Sequence, residues 1–253
     1  MILPMLLACA STDPAPADID GLFHYFWDKY RAGSDEELVE AITHAQAAVA
    51  RLDLPATGSL TRLSSAQVAD LPAANTGDPA KSAGLYLINP LPCTMEQLEA
   101  LIIDADQQAL HESYDTYQRS FLTSFDDYVA RRSQLLDWDT DYSASLAFYG
   151  NYDNAVRSGA RHVPDGGPGL LSGSWMREAA VFEDPDQIFD TDYQIEVWWP
   201  APEGGVIHYY GIWRHMYLGP NLTTDDEFVV SITLAELENW DKPVAERCEA
   251  DAG

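Results

Sequence analysis

The stretch Asp190 to Tyr217, DTDYQIEVWWP-APEGG-VIHYYGIWRHMY, decides the fold class. Tyr193, Ile195, Val197 and Trp199 alternate with Asp192, Gln194, Glu196 and Trp198, and a period of two predicts a strand with one buried face. Pro200 to Gly204 is a turn cluster, and the β-branched and aromatic run from Gly205 onward predicts a second, antiparallel strand. A slip of one residue turns every side chain to the wrong face, so like must oppose like. Opposing Val197 to Ile207 satisfies this: Ile195 then faces Tyr209 and Thr191 faces Trp213, while Glu196 faces His208 and Asp190 faces Arg214. The hairpin predicts a sheet with one apolar and one polar face.

Outward from the hairpin, Tyr142 to Tyr152, Leu170 to Phe182 and Phe228 to Leu234 also read as strands, giving a five-stranded antiparallel meander with turn signals between them. Upstream, Gly84 to Asn89 reads as a short strand. Thr94 with Gln97 is a capping box opening a helix over Met95 to His111, and Tyr114, Tyr117, Phe121, Phe125 and Tyr128 step by three and four, predicting a second helix that ends near Arg132. At the start of the chain, Leu22, Phe23, Phe26, Trp27 and Tyr30 recur at helical spacing. Ser34-Asp35-Glu36-Glu37 then caps a second helix, so 19–53 forms a helical hairpin. The segment 54–83, rich in Pro, Ala, Ser, Thr and Gly, reads as a linker or long loop with one short helix near Ser65 to Leu71. The expected class is α+β: a helical hairpin, then a strand, two helices and a five-stranded meander packed on the helices, with 84–253 as the sheet domain.

The order strand, two helices, meander across Gly84 to Leu237 resembles the helix-grip architecture of START-like lipid-binding domains. That resemblance implies a cavity between sheet and helices, with the gripping C-terminal helix reduced here to Leu234 to Glu249. At the other end, Met1 to Ala8 is apolar and uncharged, and Leu6-Leu7-Ala8-Cys9 resembles the lipobox of bacterial lipoproteins. The resemblance implies that 1–8 is a signal-peptide remnant, that Cys9 carries lipid, that 9–18 is a flexible tether, and that the protein is held at the bacterial cell envelope. With Cys9 so used, Cys93 and Cys248 remain, in a compartment that permits disulfides, and are expected to pair.

The 253 residues are 46% hydrophobic and 11% aromatic, ample for a core. Asp plus Glu number 41 against 14 Lys plus Arg, for a net charge of −27. A field of that sign repels nucleic acid and an anionic bilayer, leaving the lipid anchor as the one expected membrane contact.

Chemistry could sit on the polar face of the hairpin. Glu196 beside His208 could exchange a proton, with Arg214 holding an anionic group; the plainer reading is a set of solvent-facing cross-strand pairs. Trp175, Gln194, Trp198, Tyr210 and Trp213 could line a groove for an apolar or aromatic ligand. Asp137, Asp139 and Asp141 alternate as in calcium loops, but Tyr142 and Phe148 stand where an EF-hand needs Gly and Glu. The expected function is therefore a non-catalytic envelope lipoprotein that binds a small apolar or aromatic ligand or a protein partner. The alternatives are a hydrolase using Glu196, His208 and Arg214, and a surface protein stiffened by calcium.

Overall fold

The computed structural model describes residues 14–75, 77–111, 113–146, 150–164, 169–219, 222 and 225–251. Cys9 and the lipobox lie outside them. The elements in chain order are α1 (Ile19–Lys29), α2 (Asp35–Val49), β1 (Ala56–Leu60), α3 (Ser65–Val68), β2 (Ala83–Leu91), α4 (Met95–Ile103), β3 (Tyr114–Phe121), α5 (Phe125–Val129), β4 (Leu135–Leu146), β5 (Gly150–Val163), β6 (Gly169–Met176), β7 (Val181–Phe182), β8 (Ile188–Pro200), β9 (Val206–Tyr217) and α6 (Glu227–Asp251). The fold is α+β, and its sheet is antiparallel as expected.

The sheet is larger than a five-stranded meander: among the described residues it has nine strands, eight in the order β1-β2-β9-β8-β6-β5-β4-β3 and β7 paired to β5. The expected strand Tyr142 to Tyr152 falls in two strands, β4 and β5, Leu170 to Phe182 in β6 and β7, and β1 and β2 join the sheet; three further readings change. Tyr114 to Phe121 is a strand rather than helix, because Tyr117, Arg119 and Phe121 also alternate, and pairing with β4 decides between the two periods. Only Phe125–Val129 of the expected second helix is helical. Phe228 to Leu234, β-branched enough to read as a strand, opens the 25-residue α6, where Asp226 accepts a hydrogen bond from Phe228 N at the first turn. The C-terminal helix, expected to be reduced to Leu234 to Glu249, thus spans Glu227–Asp251. Within 54–83, α3 is present and β1 pairs with β2.

The hairpin of β8 and β9 forms, two residues out of the expected register: Val197 faces Tyr209, Ile195 faces Gly211 and Glu196 faces Tyr210. A slip of two preserves the faces. The turn needs Gly205, at φ +79°, where a Cβ would also strike Leu91 O at 2.3 Å. Gly211 opposite Ile195 leaves room for Phe23, which stacks on Tyr209 with ring centroids 3.8 Å apart.

Both faces of the sheet are covered, so the polar face does not meet bulk solvent. On the outer face α1 and α2 bury Leu22, Phe23, Phe26, Trp27, Leu38 and Ile42 against Trp175, Tyr193, Val197, Tyr209 and Trp213. On the inner face α4 packs over Leu136, Ala160, Leu170 and Trp198, and α6 packs over Leu85, Leu87 and Ile212. Cys93 and Cys248 are disulfide-bonded, Cα atoms 5.0 Å apart, tying the end of α6 to the start of α4. The sheet also curls. Tyr114, at its β3 end, packs edge-on to Trp240 of α6, although α6 lies on β2 near the other end.

Candidate functional site

The inner face can be read in rows from the strand registers. One row runs Leu136, Ala160, Ser172, Glu196, Tyr210, Leu87; the next runs Trp138, Ser158, Ser174, Gln194, Ile212, Leu85. At the centre, β5 and β6 therefore present three serines between large neighbours. Ala160 beside them is sealed under the α4 core. Ser158 and Ser172 are 8% and 6% exposed, yet among the described residues their hydroxyls have no hydrogen-bond partner. Nor do they belong with the sealed, unpartnered polar atoms, such as Tyr30 Oη, Tyr128 Oη and Trp198 Nε1. Each keeps a small accessible surface. These small side chains are flanked by large ones, and α6 lies across the curled sheet.

Around this floor the polar groups form two chains. His208 meets Asp241 of α6 through Nδ1 at 2.8 Å and Glu196 through Nε2 at 3.0 Å, and Asn89 Nδ2 donates to the other Asp241 oxygen at 2.9 Å. The ring lies between Trp198 and Tyr210, stacked on both at 4.9 and 5.1 Å. Burial alone would lower the imidazole pKa, but Asp241 and Glu196 override it and hold it up at about 9. His208 is therefore an imidazolium with both nitrogens engaged, which leaves it no free nitrogen to take a substrate proton. In the second chain Tyr210 Oη donates to Gln194 Oε1 at 2.7 Å and Gln194 Nε2 donates to Asp192 at 2.8 Å; Arg214 donates to Asp192 at 3.1 Å and to Glu236 of α6 at 3.2 Å. Burial raises the Glu236 pKa against the pull of Arg214.

Glu196 is the exception to this saturation. Its Oε2 is held by His208, while among the described residues Oε1 has no partner, and the side chain is 13% exposed. It is close enough to Tyr114 and Tyr210 that, beside burial, its charge raises both phenol pKa values. Tyr114 packs against Tyr142 at 5.0 Å and Trp240 at 5.9 Å, and Trp240 stacks on His111 at 3.5 Å. Asn154 Nδ2 donates to Tyr142 Oη at 2.9 Å. These rings close the seam between β3 and α6.

The structure thus gathers Glu196, His208, Arg214, Gln194, Trp198 and Tyr210 on one face. Trp175 and Trp213 are on the other, packed around Trp27 in the α1–α2 core. Asp137 is bound by Arg31, Asp139 by Arg157, and Asp141 by Arg177. Among the described residues no group of three or more His, Cys, Asp and Glu could hold a metal ion, and no helix is long and apolar enough to cross a membrane. An open cleft of about 450 Å³ at the β3–β4–β5 end, lined by Gln118, Asp141, Asp153 and Glu178 among others, does not coincide with the serine floor. Sequence reading missed Ser172, Trp240 and Asp241. One signal was there: in the stripe Val229, Thr233, Leu237, Asp241, Val244, Cys248, a lone carboxylate interrupts the buried side of a helix.

No protein-family model and no curated protein matches the chain. Among solved structures it is similar to the human StAR-related lipid transfer protein 5, with a TM-score of 0.46 and 10% identity over 87% of this chain and 98% of that one. A STAR-related lipid transfer protein from Xanthomonas axonopodis, fragment 25–204, gives a TM-score of 0.40 and 12% identity over 66% and 86%. Human STARD10 gives 0.40 and 8% over 74% and 81%.

Proposed function

We propose that this protein is a small-molecule-binding domain that encloses its ligand in the hollow between the inner sheet face and α6. One observation carries the reading: Ser158, Ser172 and Glu196 Oε1, on a sheet covered on both faces, are without partners among the described residues and keep a small accessible surface. Buried polar groups are ordinarily satisfied, so a set of open ones facing a hollow is a recognition surface for something the chain does not supply. The rims are aromatic, which suits a ligand with an apolar or aromatic body. Attachment to the bacterial envelope through a lipid on Cys9, and a non-catalytic role there, complete the proposal.

Native mass spectrometry of the protein purified from its own host tests it. A small molecule should accompany the wild-type chain and be lost in Ser172→Leu, which fills the hollow while leaving the circular dichroism spectrum unchanged. Retention of the same molecule by a folded Ser172→Leu variant would place it elsewhere and sink the reading.

A further inference from the structure

Around the serine floor, three cations are held by partners within the protein. Both nitrogens of His208 are taken by Glu196 and Asp241. Arg214 spends Nε and Nη2 on Asp192 and Nη1 on Glu236. Arg119, nearer α4, gives Nε to Tyr117 Oη and Nη1 to Ile102 O, with its guanidinium 4.4 Å from the Trp138 ring centroid. Three cations thus stand against four carboxylates, Asp192, Glu196, Glu236 and Asp241, and the unspent valence belongs to a carboxylate. An anionic ligand would meet an excess of like charge, with the Ser158 and Ser172 hydroxyls as its open donors. A ligand nitrogen that donates would find the reverse.

We propose that the hollow anchors its ligand by a protonated amine, seated on Glu196 Oε1, with the Ser172 hydroxyl oxygen as a second acceptor and the Tyr114 and Trp240 rings beside it. This rests on the reading of the hollow as a ligand site and narrows it to one chemical class. The observations behind it are independent of one another. Glu196 Oε1 is open and lies on the central strand β8. Ser172, its neighbour across β6, is more than nine-tenths buried and unpartnered among the described residues. Aromatic faces stabilise a cation that has lost part of its water, and a charge-assisted hydrogen bond is about twice as strong as a neutral one. An ammonium carries three donors; the two oxygens and the ring faces satisfy it. An alcohol of the same shape offers one donor and no charge.

Isothermal titration calorimetry of the full chain with 2-phenylethylamine, 2-phenylethanol and phenylacetate separates the possibilities, because the three share one aromatic body. Wild type should bind the amine at least about tenfold more tightly than the alcohol and the carboxylate least of all, a tenfold ratio being about 1.4 kcal/mol. Glu196→Gln keeps an acceptor for His208 and should lower amine affinity about tenfold while leaving the alcohol unchanged. Ser172→Ala, a smaller change that guards against misfolding of the first variant, should weaken the amine about threefold. If the alcohol or the carboxylate binds as tightly as the amine, or if Glu196→Gln leaves amine affinity intact, the inference is overturned while the hollow remains a ligand site. If none of the three binds to wild type, the amine inference alone is overturned; if the amine binds a folded Ser172→Leu as tightly as wild type, it sits elsewhere and the inference fails together with the reading it rests on.

Discussion

His208 joins three elements through one ring. It sits on β9, takes Glu196 of β8 on one nitrogen and Asp241 of α6 on the other, so removing it strands two buried carboxylates. Breaking such a set by deleting one partner costs about 3 to 5 kcal/mol, and chemical denaturation of His208→Ala should show a loss of that order. The pH dependence has a definite sign. A histidine whose folded pKa is raised to about 9, against 6.5 as the ordinary value, contributes stability that is complete below about pH 6.5 and is lost as pH rises through 9. His111, stacked on Trp240, is opposite: burial lowers it to about 4, so its contribution is present above 6.5 and disappears as pH falls toward 4. Melting temperatures across pH 4 to 10 should decline on both flanks, and His208→Gln should flatten the alkaline one. On the outer face, a Cβ on Gly173 would meet three atoms of the Tyr30 ring, the nearest at 2.7 Å. Gly173→Ala should cost about 1 to 3 kcal/mol, with most of the loss recovered in a Tyr30→Leu background. Much of the residue scale was legible beforehand. The period of two placed Gln194, Glu196, His208, Tyr210 and Arg214 on one face, and a two-residue error in register kept them there. Ser172 was not legible, because a serine in a strand becomes a floor only when its neighbours across two strands are known.

At the scale of elements, α6 and the disulfide are the parts on which the proposed hollow depends. Helix α6 reaches the sheet through a narrow stripe of buried residues, and its polar contacts to the strands run through Glu236 and Asp241. The Cys93–Cys248 bond spans 155 residues and contributes about 4 to 5 kcal/mol by chain entropy. Cys93→Ser with Cys248→Ser should lose stability of that order, and hydrogen exchange should show the protection lost first in the C-terminal turns of α6 rather than in β8 or β9. Ser34 makes a full capping box on α2, and Ser34→Ala should cost about 1 kcal/mol, read from the denaturation midpoint. Helices with capping boxes were readable: α2 and α4 begin where Ser34 and Thr94 put them. The errors came where two periods coincide. Tyr114, Tyr117 and Phe121 fit a helical step and a strand alternation alike, and Phe228 to Leu234 is as β-branched as a strand. In each case a partner distant in sequence decides, β4 for the first and β2 for the second.

For the whole molecule, charge and enclosure are the two governing facts. With 41 acidic residues against 14 basic ones, folding brings like charges together, and the internal ion pairs consume most of the arginines. Raising NaCl from about 10 mM to about 0.5 M shortens the Debye length from tens of ångströms to a few, so the melting temperature should rise by several degrees. A fall would mean that the arginine pairs outweigh the net repulsion. Enclosure was foreseeable only in part: the α+β class followed from the hairpin and its flanking helices, but a polar sheet face buried beneath a helix did not. The central claim is that this enclosed, half-satisfied face holds a small molecule. A high-resolution crystal structure of the protein purified from its own host tests that claim most directly. The account predicts a non-protein molecule over Ser172, within hydrogen-bonding distance of Glu196 Oε1 and against Tyr114 or Trp240. A hollow filled only by ordered water bridging Ser158, Ser172 and Glu196 would contradict it, since those groups would then be satisfied by solvent alone.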